Sequence, residues 1–229
     1  MSEKVAELTG AQALVSTLAD CGVTACFANP GTSEMHLVTA LDTEPRIRPV
    51  LCLFEGVATG AADGFARMAD MPAMTLLHLG AGYLNGGANI HNAKRAYTPM
   101  INVIGDHAVP HLRYDAPLTS NIIGLAGPNS TWIKSADTVA STGKLAAEAW
   151  AASFGAPGGP VSLILPADSA WTAGGTKASV PKRPVPLAVS SETVARVAAA
   201  LKAASKPVLL VNGSATRAEG LALLARLEA

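Results

Sequence analysis

The chain has 229 residues, 49% hydrophobic and 15% charged, and its 17 basic and 17 acidic side chains leave no formal net charge. That balance, with no basic stripe, argues against a nucleic-acid binder held by phosphate contacts. No run approaches the ~18 apolar residues of a membrane span, and the opening MSEKVAELTG lacks the apolar core of a signal peptide, so a cytoplasmic, membrane-free protein is expected.

The length exceeds one ordinary domain, and strand and helix signals alternate along it. A strand is expected at Val23–Ala28, then an NPGT turn at Asn29–Thr32, then a helix at Ser33–Leu41 with Thr32 and Ser33 as its caps. The apolar PVLCLF reads as a buried strand, Val50–Phe54, with Glu55 where the strand must end. The next helix, Gly56–Met68, carries Gly56, Gly60 and Gly64 at four-residue spacing. Each glycine costs ~1 kcal/mol against alanine in a helix. Spacing four places all three on one face, so close approach by a ligand or another helix is expected there. A carboxylate beside such a dry face could carry a proton near neutral pH; the plainer alternative is a helix-start acid facing the macrodipole.

A strand at Ala73–Leu79, a helix at Tyr83–Ala93 and a strand at Pro99–Ile104 follow. The irregular HAVPHLRYDAPLTSN is long enough for a functional loop. A helix at Thr138–Phe154 and a strand at Val161–Leu165 complete the region. Continuous apolar strands alternating with helices indicate an α/β fold with a mainly parallel sheet covered on both faces. Ligands bind such sheets beyond the carboxyl ends of the strands, where the NPGT turn, Glu55, His78 and Asp106 all fall.

From Pro166 to Ser190 the composition turns to Pro, Gly, Ser, Ala and Lys, as in a linker. Beyond it a helix in SETVARVAAALKAAS, a strand in KPVLLVNGSA and a helix in TRAEGLALLARLEA are too little to bury a core, and read as the start of a truncated second α/β domain. The expected division is 1–170, a linker at 171–190, and 191–229.

Cys21, Cys26 and Cys52 are too few and wrongly spaced for a disulfide framework or zinc knuckle, and are expected to be reduced and buried. His107 and His111 stand four apart, but Pro110 interrupts the helix a ligand pair would need, so no metal is expected from this chain alone. Gly80, Gly82 and Gly86 followed by Asp106 superficially match a dinucleotide fingerprint. The third glycine is one residue late and the pattern starts at the third strand. An NAD-binding oxidoreductase and a non-catalytic assembly module stand as alternatives of other classes.

The ordered runs FANPGTSEMHLVTAL, FEGVATGAADGFARM, LLHLGAGYLNG and TPMINVIGDH, continuing through DAPLTSNIIG and GGPVSLILPAD, resemble the pyrimidine-binding domain of thiamine diphosphate-dependent enzymes of the benzoylformate decarboxylase and acetolactate synthase type. The resemblance covers about residues 4 to 170. It implies that Glu55 hydrogen-bonds N1′ of the cofactor's aminopyrimidine and, through the 4′-imino tautomer, promotes loss of the thiazolium C2 proton. It implies that His78 is catalytic, near cofactor and substrate, since benzoylformate-type decarboxylases carry histidine there. Pro30, Gly31, Ala81 and Asn85 would line the cofactor, and Thr32 the substrate. Leu79 departs from the serine usual after that histidine. The family's Gly-Asp-Gly motif for diphosphate and Mg²⁺ is absent, so Mg²⁺ would be bound by a missing C-terminal domain, and this chain alone is expected to be inactive. The implied protein is a 2-oxo acid decarboxylase or carboligase, homodimeric or homotetrameric, with an acetolactate synthase-like carboligase as the alternative.

Overall fold

The computed structural model describes residues 7–185 and 187–228. Contacts divide the chain into two units, Met1–Val185 and Pro186–Ala229.

The first unit begins with β1 (Leu8–Thr9) and α1 (Gly10–Asp20), then β2 (Ala25–Asn29), a 3-10 turn at Thr32–Glu34, α2 (Met35–Asp42) and β3 (Arg48–Leu51). Next come α3 (Glu55–Ala69), β4 (Ala73–Leu77), α4 (Leu79–Arg95) and β5 (Met100–Asp106). A 3-10 segment at Val109–Tyr114, α5 (Ile122–Ala126), β6 (Trp132–Ser135), α6 (Thr142–Ser153), β7 (Pro160–Pro166), α7 (Ala167–Trp171) and β8 (Ala173–Gly175) follow. Helix α1, outside the expected elements, is fixed by a T-x-x-Q capping box: Thr9 Oγ1 accepts the Gln12 N–H at 3.2 Å, and Gln12 Oε1 accepts the Thr9 N–H at 2.9 Å.

Six strands form one sheet in the order β3-β2-β4-β5-β7-β6, all pairs parallel. The core strands β4, β5 and β7 are buried along their whole length, as a sheet with helices on both faces requires. One apolar cluster contains Leu14, Leu18, Leu37 and Trp150 from α1, α2 and α6. The other contains Ala62, Tyr83, Ile90 and Ile122 from α3, α4 and α5. Each large buried side chain contributes roughly 1.5–3 kcal/mol. A polar row crosses the sheet in register, Thr75 beside Asn102 beside Ser162. Thr75 Oγ1 donates to Asn102 Oδ1 at 2.8 Å, and the Ser162 hydroxyl lies 2.8 Å from that of Ser130. A one-residue slip would leave these groups buried without partners, so the row helps to fix register.

Within the first unit the sequence reading needs correction in four places. The strand expected at Val50–Phe54 is β3, Arg48–Leu51, at the sheet edge, and it is not buried: Leu51 is 71% exposed. Helix α4 starts at Leu79 rather than Tyr83. Thr32 and Ser33 make no cap; the N–H of Gly31 is instead taken by the Glu34 carboxylate at 2.7 Å. The expected linker starts too early, because Leu8 and Thr9 pair antiparallel with Gly175 and Ala173. The glycine there serves close packing, since a Cβ on Gly175 would stand 2.5 Å from the Thr9 carbonyl oxygen.

In the second unit, Ser190 caps α8 (Ser191–Ala203) by accepting the Thr193 N–H at 3.2 Å. A 3-10 turn at Gly213–Thr216 and α9 (Ala218–Glu228) follow. The strand expected in KPVLLVNGSA is not formed among the described residues. The unit offers no other strand to pair with it, and an unpaired strand is not stable in water.

Candidate cofactor and substrate site

Strands β2, β3, β4 and β5 end at one edge, which gathers the NPGT turn, Glu55, His78 and Asp106. Glu55 is the first residue of α3, with its acid at the positive end of the helix and only 7% exposed. Its Oε2 accepts the Asn85 side-chain amide at 3.0 Å. Its Oε1 has no protein partner among the described residues.

Close packing of α3 on α4 holds this carboxylate in place. Asn89 Nδ2 donates to the Gly56 carbonyl at 2.7 Å, and Thr59 Oγ1 lies 3.1 Å from the Gly86 carbonyl. The glycines that permit this are mostly those of α4. A Cβ on Gly86 would stand 2.7 Å from Thr59 Cγ2, and one on Gly82 3.2 Å from Glu55 Oε1. The expected glycine face of α3 divides: Gly56 lies against the Phe54 ring, Gly60 near Asn89, and Gly64 has nothing within 4 Å. The fingerprint-like turn is filled by the chain itself, with Gly80 against Ser120, Gly82 against Glu55 and Gly86 against Thr59. It leaves no phosphate cradle of the dinucleotide kind.

His78 follows β4 as the N-cap of α4 and precedes Leu79, whose φ of +50° is a left-handed conformation that leucine adopts only under strain. The imidazole Nδ1 lies 2.8 Å from Oε2 of Glu34, the oxygen that also takes the Gly31 N–H. Sequence reasoning passed over Glu34. Its signal was an acid three residues after Gly31, placed to reach back to the turn. Glu34 is fully buried, and burial holds its carboxyl above the usual range against the opposing pull of Gly31 and His78. Gly31 leaves room for the ring, since a Cβ there would stand 2.7 Å from His78 Cγ. Gly82 lies between the two centres: its Cβ would be 3.4 Å from His78 Cβ as well as close to Glu55. The fold thus brings Glu55, Asn85, His78 and the NPGT turn together around the start of α4. Ala81 and Asn85, one turn apart on α4, are exposed at the same place, and Pro30 and Gly31 are half-buried.

Thr32 faces a cleft of about 310 Å³ that it shares with Ser33, His107, Ala108, His111, Ala167 and Trp171. The His107 and His111 rings stand 5.4 Å apart. Asp106 is buried, which raises its carboxyl, and its Oδ1 accepts the His107 N–H at 2.8 Å. The three cysteines are free and buried, and burial raises the Cys21 thiol to about 11. Among the described residues, no helix is long and apolar enough to cross a membrane.

Residues 8–123 match the family described as "Thiamine pyrophosphate enzyme, N-terminal TPP binding domain". The chain is 51% identical over 221 residues to the "Putative acetolactate synthase large subunit IlvX" of Mycobacterium tuberculosis, covering 96% of this chain and 42% of that protein. It is 30% identical to the acetolactate synthase isozyme 3 large subunit of Escherichia coli, over 92% of this chain and 38% of that one. Benzoylformate decarboxylase of Pseudomonas aeruginosa is 30% identical over 148 residues, 64% of this chain and 28% of its own. A solved structure, described as a "putative thiamin diphosphate-dependent enzyme isolated from Mycobacterium smegmatis", superposes with a TM-score of 0.81 at 28% identity, over 88% of this chain and 39% of that one. The chain spans about two fifths of the length of the first of these relatives. A buried glutamate with one free oxygen, beside an exposed helix start, suits an aminopyrimidine. By its family match and its fold, the chain belongs to the thiamine pyrophosphate enzymes, as their N-terminal TPP-binding domain.

Proposed function

We propose that this chain forms the aminopyrimidine-binding part of an enzyme that decarboxylates a 2-oxo acid. The observation that carries this reading is Glu55, buried at a helix start with Oε2 on Asn85 and Oε1 without a protein partner. Thiamine diphosphate, when bound, would supply the electron sink for the decarboxylation. Glu55 holds and moves the proton at the pyrimidine N1′, while Asn85 fixes the carboxylate's orientation. Pro30, Gly31 and Ala81 line the same ring. His78 and Thr32 face the substrate, with His78 donating or withdrawing a proton at the reacting carbonyl.

Mg²⁺ and the diphosphate are assigned to residues outside this chain. The first unit, Met1–Val185, serves as the pyrimidine domain, extended past the expected 1–170 by β8, and 191–229 begin a central domain. A second copy covers the apolar surface beside Glu55, where Leu53, Phe54, Val57 and Leu84 are all at least half exposed. This supports a homodimer or homotetramer, since an apolar surface next to a site is a common mark of an interface.

Acetolactate synthesis is the second reading, favoured by the 51% identity to a chain named for that activity. The two separate on substrate. The decarboxylase reading predicts aldehyde and CO₂ from an aryl or branched 2-oxo acid by the complete enzyme, slowed in His78→Ala. If acetolactate from pyruvate dominates and His78→Ala leaves its rate unchanged, the synthase reading stands.

A further inference from the structure

The pair formed by Glu34 and His78 is built by three separate segments. Glu34 comes from the 3-10 turn after β2, His78 from the end of β4, and the space for the carboxylate from Gly105 in β5. Two glycines keep that space clear. A Cβ on Gly105 would stand 2.5 Å from Glu34 Cδ, and one on Gly31 would stand 2.7 Å from His78 Cγ. Glu34 is fully buried, so its carboxylate cannot exchange these partners for water. Its contacts with the Gly31 N–H at 2.7 Å and His78 Nδ1 at 2.8 Å both fall on Oε2. Its Oε1 is buried without a hydrogen-bond partner among the described residues. Hydrogen bonds from an N–H to an ionised carboxylate are roughly twice as strong as neutral ones. Nε2 of His78 has no protein partner among the described residues, and the side chain keeps 23% of its surface exposed.

We infer that Glu34 is the positioning residue of His78: its carboxylate accepts the Nδ1–H, locks the imidazole in the Nδ1–H tautomer, and leaves Nε2 as the nitrogen that meets the ligand. The ring nitrogen left bare is set by the hydrogen bond that the other one makes. With Nδ1 committed to a buried acid, Nε2 carries the lone pair and takes a proton from the reacting group or its water. The buried carboxylate then faces the imidazolium across 2.8 Å and stabilises it, so the same nitrogen can return the proton. The atom count closes, since one proton enters and leaves at Nε2 and Nδ1 keeps its own. The catalytic use of His78 rests on the proposed function above, but the tautomer does not.

The test therefore reads the tautomer in the 229-residue chain without substrate. With ¹⁵N-labelled histidine at about pH 8, where an ordinary imidazole is neutral, two-bond ¹⁵N–¹H correlations distinguish protonated from bare ring nitrogens. His78 should show Nδ1 protonated and Nε2 bare, favoured about tenfold or more, the size expected for a hydrogen bond to a charged acceptor. Glu34→Gln keeps an oxygen acceptor and should keep this pattern. Glu34→Leu removes the acceptor and should shift His78 toward Nε2–H by at least about the same factor. Nε2–H as the major form in the wild-type chain overturns the assignment, as does a Glu34→Leu chain that folds with its tautomer unchanged. If Glu34→Leu does not fold, the wild-type and Glu34→Gln spectra decide. Inactivity of His78 toward 2-oxo acids would overturn the functional reading and leave this result untouched.

Discussion

Adding one methyl group at Gly105 should disable the Glu34–His78 pair and destabilise the first unit. In Gly105→Ala the new Cβ would stand 2.5 Å from Glu34 Cδ and 2.8 Å from Cγ, whereas carbon atoms pack at about 3.5–4.0 Å. Glu34 has no exposed surface through which to retreat, and its turn is tied to Gly31. Overpacking of this kind costs about 1–3 kcal/mol. Expelling the carboxylate also forfeits its bonds to the Gly31 N–H and His78, which for charged groups are worth about 1.5–3 kcal/mol. With each of the two bonds counted, the loss should therefore fall between about 4 and 9 kcal/mol, a large part of the ~5–15 kcal/mol that typically separates native from unfolded chains. Trp132, Trp150 and Trp171 all lie in the first unit, so tryptophan fluorescence in urea follows its unfolding alone. With a slope of about 1–3 kcal/mol per molar, the midpoint should drop by roughly 1 M or more. A midpoint within about 0.2 M of wild type would refute the reasoning, because it would mean that Glu34 moves aside at no cost.

Gly64→Ala is the contrasting case: a Cβ there meets nothing within 4 Å, so the isolated chain should gain up to about 1 kcal/mol, read as a higher urea midpoint. A lower midpoint would show that this helix face is already covered. Glu55→Gln in the complete enzyme should lower turnover by ~10²–10⁴, as expected for a lost proton carrier, while Asn85 still finds an oxygen to bond. Near-normal proton exchange at the cofactor's C2 would contradict it. Asp106 supplies a pH test. Burial raises its carboxyl, so the folded form holds this proton more tightly than the unfolded chain does. Its contribution is fully present below the ordinary carboxylate range near ~4 and is lost as pH rises through the raised value. Asp106→Asn keeps an oxygen for the His107 N–H and should flatten that part of a stability–pH profile measured by denaturation; an unchanged slope would count against it.

Much of the fold was legible because it rests on local order in the chain. The mostly apolar runs Ala73–Leu77, Met100–Asp106 and Pro160–Pro166 are buried end to end, and a run that is apolar on both faces, with Thr75, Asn102 and Ser162 as its in-register exceptions, is what a doubly covered parallel strand requires. The positions of Glu55 and His78 followed from the same pattern, since each stands where such a run gives way to a helix. Three features depended on residues far apart in sequence. PVLCLF has the composition of a core strand, yet β3 has a neighbour on one side only, and sheet order is not written into any single strand. The Gly-rich stretch after Trp171 looked like a linker, but glycine serves close packing as well as flexibility, and only its pairing with Leu8 and Thr9 separates the two. Glu34 was passed over, since an acid near a helix start is ordinarily a surface residue. Its burial is imposed by Gly31, His78 and Gly105, which come from three strand ends that only the folded sheet brings together. The sequence by itself thus determined the order of elements and the edge at which the chemistry lies, because periodicity and turn residues act locally. The tertiary structure alone decided which acid supports the histidine, because burial and hydrogen-bond partnership belong to the packed sheet and to no single segment.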